Sequence, residues 1–181
     1  MRTLLTEEQV REGIHRLAGE VQRYYDSKPL TLVGVMTGSV VLLADLIRLL
    51  DAPLRIELIQ ARCDRSKGVC QGPLVIDEDL LSFGVRGRHV LLVDDIFHTG
   101  QTLWNLIPQI DDIGPTSVRT AVLLQKDGES AVPIKPDFVG FTIPNEFVVG
   151  YGLDYNDRYR HLPYLAALEP DEMQSLACPN P

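Results

Sequence analysis

The spacing of apolar residues along the chain predicts helices and strands in alternation. Residues 6–9 read Thr-Glu-Glu-Gln, a capping-box sequence, and apolar residues from Val10 to Tyr24 follow at helical spacing, which predicts a helix over residues 6–25. Shorter apolar runs between turn-forming residues predict the other elements: strands over residues 30–36, 54–60, 89–93, 118–124 and 137–141, and helices over residues 40–50 and 99–110. This alternation indicates an α/β fold with a largely parallel sheet.

Two stretches and one proline modify that pattern. Residues 61–73 are polar and contain two glycines, so we expect a mobile hairpin there, with its return strand beginning at residue 74. Pro108 is expected to end or kink its helix early. The tail over residues 169–181 contains three prolines and is expected to be loose. With no internal repeat or boundary in the sequence, we expect a single domain over residues 1–181, with its core at about residues 6–168.

Composition narrows the class of protein. Hydrophobic residues make up 45% of the chain, enough for a sizeable core. The net charge of −8 argues against a protein that coats nucleic acid, but a small anionic substrate can still bind to local cations and backbone N–H groups. The three scattered cysteines suggest neither a disulfide framework nor a zinc site. The sequence shows no apolar leader and no membrane span, so we expect a cytoplasmic protein with no membrane partner.

The strongest candidate site lies at the end of the strand predicted over residues 89–93. Asp94 and Asp95 follow the apolar run, and Thr99-Gly100-Gln101-Thr102 opens the next helix. Ligands of open α/β sheets bind at the carboxyl ends of strands, and a helix N-terminus offers free N–H groups to a phosphate. Two adjacent carboxylates suit a ligand that carries a diol and Mg²⁺. Taken alone, the segment also fits an ordinary strand end followed by a capped helix.

Residues 93–102 resemble the 5-phosphoribosyl-1-pyrophosphate (PRPP) motif of the type I phosphoribosyltransferases. The resemblance implies that Asp94 and Asp95 act in catalysis on the ribose hydroxyls and beside the metal. It also implies that Thr99, Gly100, Gln101 and Thr102 bind the 5′-phosphate.

Residues 135–163 resemble the hypoxanthine-guanine phosphoribosyltransferases more specifically. The resemblance implies that Phe147 stacks on a purine and that the backbone of Val148 reads its edge. It implies that Lys126 donates to the 6-oxo group, which disfavours adenine. Taken alone, Phe147 fits a core position and Lys126 a solvated strand end.

The same resemblance assigns a pyrophosphate side. Asp154 is expected to bind Mg²⁺, and Arg160 is expected to contact the pyrophosphate. Met36, Thr37 and Gly38 correspond to a turn around the pyrophosphate, where many members carry a basic residue in place of Thr37. We therefore expect backbone N–H groups to bind there, with a plain strand-to-helix turn as the alternative.

The chain departs from the family pattern at two further places. The hairpin reads Ala61-Arg62-Cys63-Asp64-Arg65 where members normally carry a Ser-Tyr pair, so a lid here must use other contacts. Oxidation of Cys63 with Cys70 is a further alternative to two ordinary loop thiols. His98 stands where close relatives usually carry an aspartate. We expect His98 to act as a general base on the purine, since imidazole titrates near neutral pH; the alternative is that it only shapes the loop.

The resemblance implies a type I phosphoribosyltransferase-like α/β fold, with a mostly parallel sheet flanked by helices, a mobile hairpin lid and a small hood. It implies Mg²⁺-dependent purine salvage, in which ribose 5-phosphate passes from PRPP to hypoxanthine or guanine and gives IMP or GMP and pyrophosphate. It also implies a homodimer or homotetramer. Two alternatives stay open: an RNA-binding regulator that carries an Asp-Asp-x-x-x-Thr-Gly motif, against which the acidic charge argues, and a fold relative that has lost catalysis.

Overall fold

The computed structural model describes residues 1–60, 84–128 and 130–176. In chain order the elements are β1 (Arg2–Leu5), α1 (Glu7–Tyr25), β2 (Leu30–Met36), α2 (Val40–Leu49), β3 (Leu54–Gln60), β4 (His89–Phe97), α3 (Gln101–Asp112), β5 (Ser117–Lys126), β6 (Phe138–Ile143), β7 (Val148–Val149), β8 (Leu165–Ala167) and α4 (Pro170–Leu176).

Five strands form a parallel sheet in the order β3-β2-β4-β5-β6. β4 lies at its centre, with Leu30 of β2 opposite His89 and Val122 of β5 opposite Asp94. The strand order reverses between β2 and β4, which are neighbours in the sheet but not in the chain. Ligands of open α/β sheets bind at the carboxyl ends beside such a reversal.

Helices cover both faces of this sheet. On one face, α1 and α2 pack on alternate strand residues that include Leu91 and Val93 of β4. On the other face, α3 packs on the intervening residues, which include Val90 and Leu92. Because neighbouring residues of a strand point to opposite faces, a sheet buried on both sides needs consecutive apolar residues, as in residues 32–35 of β2 and residues 90–93 of β4.

A second, smaller sheet forms the hood, with β8 between β1 and β7 in antiparallel pairing. Val148 of β7 and Leu165 of β8 join the apolar cluster that α1 and α2 cover, so the hood packs on the main core. Its strands contain two to four residues. Such lengths are too short to show a periodic pattern, which is why the sequence did not predict them.

The predicted α/β class and the parallel sheet are confirmed. Thr6 is the N-cap of α1 and makes both hydrogen bonds of the capping box with Gln9. β4 is longer than predicted. It continues through Asp94 to Phe97, because its ladder with β5 extends to the pair Phe97–Gln125. The two acids therefore lie inside the strand rather than after it.

Two elements differ from the predicted pattern. Pro108 lies inside α3 and does not end it, because buried Leu106 and Ile110 hold the helix against the sheet on both sides of the proline. Residues 170–176 of the expected loose tail form α4, where Pro170 occupies the first helical position that proline favours. Residues 61–83, including the predicted hairpin with Cys63 and Cys70, lie outside the described part of the chain, as do residues 177–181. The single-domain boundaries stay a prediction.

Candidate active site

The two acids of β4 form the floor of the site. Asp94 is buried, and its Oδ1 accepts a hydrogen bond of 2.9 Å from the backbone N–H of Asp95. Burial raises the pKa of Asp94 well above its ordinary value, and the charge of Asp95 raises it further. Burial also raises the pKa of Asp95, while the positive charge of Arg160 acts in the opposite direction. Both carboxylates are therefore stabilised by any cation or hydroxyl donor that reaches them.

Residues 94–102, named here the phosphate segment, lead from β4 to the first turn of α3. Gly100 is the N-cap of α3 with φ of 79°. That backbone conformation favours glycine, and a Cβ at residue 100 would lie 2.5 Å from Val132 and 2.7 Å from Phe97. The helix begins directly after this closely packed glycine, with Gln101 and Thr102 as its first two residues. Free N–H groups of this first turn suit an anion.

The turn after β2 lies directly against the acids. A Cβ at Gly38 would be 1.5 Å from Oδ2 of Asp95, so only glycine allows the carboxylate to pack on this backbone. The peptide bond between Met36 and Thr37 is cis. Ser39 is buried, and its hydroxyl donates to the carbonyl of Val35 at 2.6 Å.

A loop after β7 covers the other side of this turn. A Cβ at Gly152 would lie 2.4 Å from the carbonyl oxygen of Gly38, so Asp95, Gly38 and Gly152 form three contacting layers. Arg160 fixes the loop from within: its Nη1 donates to the carbonyl of Gly152 at 2.6 Å, and its Nη2 lies 2.7 Å from Oδ1 of Asp154. We name these layers, with Arg160 and Asp154, the layered side of the site.

His98 and Lys126 lie at the carboxyl ends of β4 and β5. Phe97 pairs with Gln125 in the ladder, so the two side chains follow at neighbouring positions. Burial lowers the pKa of His98, and the positive charge of Lys126 lowers it further. Burial also lowers the pKa of Lys126. The arrangement favours a neutral imidazole beside a cation, which suits a proton acceptor next to an oxygen-binding group.

Phe147 lies at the start of β7 and exposes 41% of its surface. Its ring and that of Tyr155 meet edge to face, with the centroids 5.3 Å apart, and the exposed part of Phe147 is available for stacking. Val148 is buried and pairs with Ala167 of β8. The hood thus fixes the backbone at the position that was predicted to read the purine edge.

Comparisons with known proteins show the family of this chain. Residues 2–156 match the phosphoribosyl transferase domain family. A hypoxanthine-guanine phosphoribosyltransferase of Streptococcus pneumoniae strain R6 is 36% identical over 94% of each chain, and one of Bacillus subtilis strain 168 is 36% identical over 96% of each. The chain belongs to the hypoxanthine-guanine phosphoribosyltransferase family. A crystal structure of a hypoxanthine phosphoribosyltransferase from Staphylococcus aureus superimposes with a TM-score of 0.86, at 34% identity over 94% of this chain and 92% of that one.

The fold brings the predicted site residues together from separate segments. Asp95, Gly38 and Arg160 meet at one end of the sheet, with His98 directly after the strand of Asp95 and Lys126 at the end of neighbouring β5. Thr37 and Thr99 are exposed at the edge of the site. Among the described residues, no hydrogen bond or ring contact joins Phe147 to Lys126, and β6 lies between them in the chain.

Sequence reasoning missed Gly152, Tyr151 and Asp45 in this family member. Gly150-Tyr151-Gly152 is a local signal, since two closely spaced glycines mark a backbone with unusual angles, and all three residues have positive φ. Asp45 is the only charged residue among the first eight of α2. A lone acid on an apolar helix could have been singled out, but its partner is visible only in the folded structure.

The donor groups at the site fit a magnesium ion held partly by its substrate. Within residues 1–60, 84–128 and 130–176, no group of three or more His, Cys, Asp or Glu side chains could hold a metal by itself. Mg²⁺ commonly uses one or two carboxylates together with substrate phosphates. Asp94, Asp95 and Asp154 provide hard oxygen donors of this kind. The raised pKa values of Asp94 and Asp95 fit a site completed by a cation.

Proposed function

We propose that this protein transfers ribose 5-phosphate from PRPP to a 6-oxopurine in purine salvage, giving IMP from hypoxanthine or GMP from guanine, with release of pyrophosphate. The observation that carries the proposal is the stack of Asp95, Gly38 and Gly152 beside Arg160, at the sheet edge where α3 begins. One site thus offers carboxylates for a ribose, a helix N-terminus for a phosphate and an arginine for a pyrophosphate. Membership of the family supports the same reaction.

The phosphate segment binds the ribose 5-phosphate end of PRPP in this proposal. Backbone N–H groups at Thr99, Gly100, Gln101 and Thr102 surround the 5′-phosphate, and the hydroxyls of the two threonines donate to it. Asp94 and Asp95 accept hydrogen bonds from the ribose hydroxyls and orient C1′.

The layered side binds the pyrophosphate of PRPP. The backbone of Met36, Thr37 and Gly38 faces it, and Arg160 donates to it. Asp154, with Asp94 and Asp95, would hold Mg²⁺. A bound Mg²⁺ supplies positive charge that stabilises the departing pyrophosphate. Asp154 also orients the guanidinium of Arg160 through their 2.7 Å contact.

The purine lies between the hood and the ends of β4 and β5. Phe147 stacks on its ring, the backbone of Val148 reads its edge, and Lys126 donates to the 6-oxo group. As the bond from C1′ to pyrophosphate breaks, a bond forms from C1′ to a ring nitrogen of the purine. His98 accepts the proton that the purine loses, which requires the neutral imidazole that its lowered pKa favours.

The test is incubation of the purified protein with PRPP, Mg²⁺ and hypoxanthine or guanine, with nucleotide and pyrophosphate measured together. Equal amounts of the two products are expected, and omission of Mg²⁺ should abolish them. A panel with xanthine and adenine will rank the bases. Absence of nucleotide with every base would contradict the proposal, and PRPP binding without turnover would identify a relative that has lost catalysis.

We also propose that the protein acts in the cytoplasm as a homodimer or homotetramer, without nucleic-acid or membrane partners. The acidic net charge of −8 supports the first exclusion. Over the residues that the structure describes, no helix combines the length and apolar character needed to cross a membrane. Sedimentation velocity at several protein concentrations checks the oligomeric state, and a monomer throughout would contradict it.

A further inference from the structure

Tyr151 and Asp45 form a hydrogen bond that the proposed chemistry does not use. The hydroxyl of Tyr151 donates to Oδ2 of Asp45. Tyr151 belongs to the loop that carries Asp154 and Arg160, whereas Asp45 lies on α2, 106 residues away in the chain. The bond therefore joins the two segments between which the pyrophosphate is proposed to bind.

Hydrogen bonds join α2 to the turn before it. The N–H of Val40 donates to the carbonyl of Thr37 at 3.2 Å, and the N–H of Leu43 donates to that of Ser39 at 2.8 Å. The buried hydroxyl of Ser39 anchors the same turn to the carbonyl of Val35 in β2. Any displacement of α2 at Asp45 therefore displaces the turn that contains Gly38.

On the opposite loop, Tyr151 has an unusual backbone conformation, and the contacts of its side chain hold it in place. Its φ is +49°, between Gly150 at 99° and Gly152 at 96°. A residue with a Cβ rarely adopts this region, and it persists only where the surroundings determine it. The ring of Tyr151 is buried in the main core, and its N–H donates to the carbonyl of Leu162 at 2.8 Å.

Two contacts thus join the same pair of segments. On the site side, Gly152 packs on the carbonyl of Gly38; on the helix side, one residue earlier, Tyr151 bonds to Asp45. Arg160 is bonded to a residue of the first contact, because its Nη1 donates to the carbonyl of Gly152. The position of the guanidinium relative to the turn depends on both contacts.

We propose that Tyr151 and Asp45 are positioning residues, which hold Arg160 and Asp154 against the turn at Gly38 and so set the affinity for the pyrophosphate group of PRPP. The inference rests on the proposed roles of Arg160 and Asp154. Neither positioning residue touches the substrate, and their effect passes through the backbone of Gly152 and through α2.

The test uses Tyr151→Phe, Asp45→Leu and the double variant in the whole 181-residue chain. Each removes the same hydrogen bond, because phenylalanine has no hydroxyl to donate and leucine has no oxygen to accept, and each nearly keeps the shape of the side chain. The KM for PRPP, and the KM for pyrophosphate in the reverse reaction, are expected to rise about threefold to tenfold, the range for one lost hydrogen bond. The KM for hypoxanthine should stay within about twofold, and the double variant should resemble the singles because one bond is lost in all three.

Two matched controls separate positioning from general stability. Tyr25→Phe removes a buried hydroxyl that donates to the carbonyl of Val90 at 3.1 Å, at the opposite end of β4. It should lower the melting temperature and leave the KM for PRPP unchanged. Arg48→Gln removes the other contact of Asp45, which is 3.4 Å long and exposed, and should change neither quantity.

A lower melting temperature with unchanged KM values for PRPP and pyrophosphate in both single variants would overturn the proposal. If Tyr151→Phe fails to fold, the KM values of Asp45→Leu for PRPP and pyrophosphate decide, because Asp45 lies on a partly exposed helix face where leucine is tolerated. Arg160→Gln is assayed beside them. If that variant leaves the KM for pyrophosphate unchanged, the assigned role of Arg160 fails, which is a separate result from failure of the positioning pair.

Discussion

The phosphate segment and the layered side meet at Asp95 but are built in different ways. The phosphate segment is one run of nine residues that leaves a central buried strand and enters a helix. The layered side joins the turn at Gly38 to the loop at Gly152, more than one hundred residues further along, through backbone packing and Arg160. The first offers hydroxyl and N–H donors in local order. The second is built on contacts that a single methyl group would break.

The largest effect is expected at the layered side, from Gly38→Ala. The added Cβ would lie 1.5 Å from Oδ2 of Asp95, so the carboxylate or the turn must move by more than an ångström. Displacements of that size in an active site cost roughly 100-fold in rate, so kcat/KM for PRPP should fall by at least about that factor. Gly19→Ala is the control, since nothing lies within 4 Å of a Cβ there. Activity within threefold of the parent for Gly38→Ala would contradict the layered packing.

The next effect tests the phosphate segment, through His98→Ala. Loss of a general base lowers kcat by about 100-fold at neutral pH. The neutral imidazole is the active form, so kcat/KM of the parent should rise with pH through the pKa of His98 and level off above it. This rise is the acid limb of the pH profile. Since burial and Lys126 lower the pKa of His98, the acid limb should lie below pH of about 6.5. The variant should lose the limb, whereas exposed His15→Ala should keep it. An unchanged pH profile would leave His98 with a role in loop shape only.

A smaller effect is expected from Lys126→Gln, which tests whether the side chains at the ends of β4 and β5 interact. Loss of the charged donor to the 6-oxo group should lower kcat/KM for hypoxanthine about tenfold and narrow the discrimination against adenine. The acid limb should also move to higher pH, because the positive charge that lowers the pKa of His98 is removed. Lys135→Gln, at an exposed lysine outside the site, is the control. A limb that stays in place would show that the two side chains do not interact.

The smallest effect is expected at the hood, from Phe147→Leu. Loss of stacking on the purine should raise the KM for hypoxanthine about threefold, with little change in the KM for PRPP. Trp104→Leu is a close match, since Trp104 exposes 43% of its surface and Phe147 41%. Equal KM values for the parent and Phe147→Leu would remove Phe147 from the purine site.

Much of the phosphate segment was predictable because its information is local. An apolar run, two acids and a glycine-containing helix start follow one another in the sequence, and each has a physical meaning without a tertiary partner. Even there the pattern placed the end of β4 too early, since the ladder with β5 that extends the strand is a non-local contact. The hood strands were missed because pairing with distant segments, rather than periodicity, makes them strands.

The sequence by itself determined the α/β alternation, the acids and helix start of the phosphate segment, and the resemblance that names the family. Side-chain pattern and local backbone preference suffice for these, because they act between neighbours in the chain. Only the tertiary structure decided that Gly38 must accept the carboxylate of Asp95, that Gly152 packs on Gly38, and that Tyr151 reaches Asp45. These contacts depend on how closely two distant backbones approach, and no spacing within either segment encodes that distance.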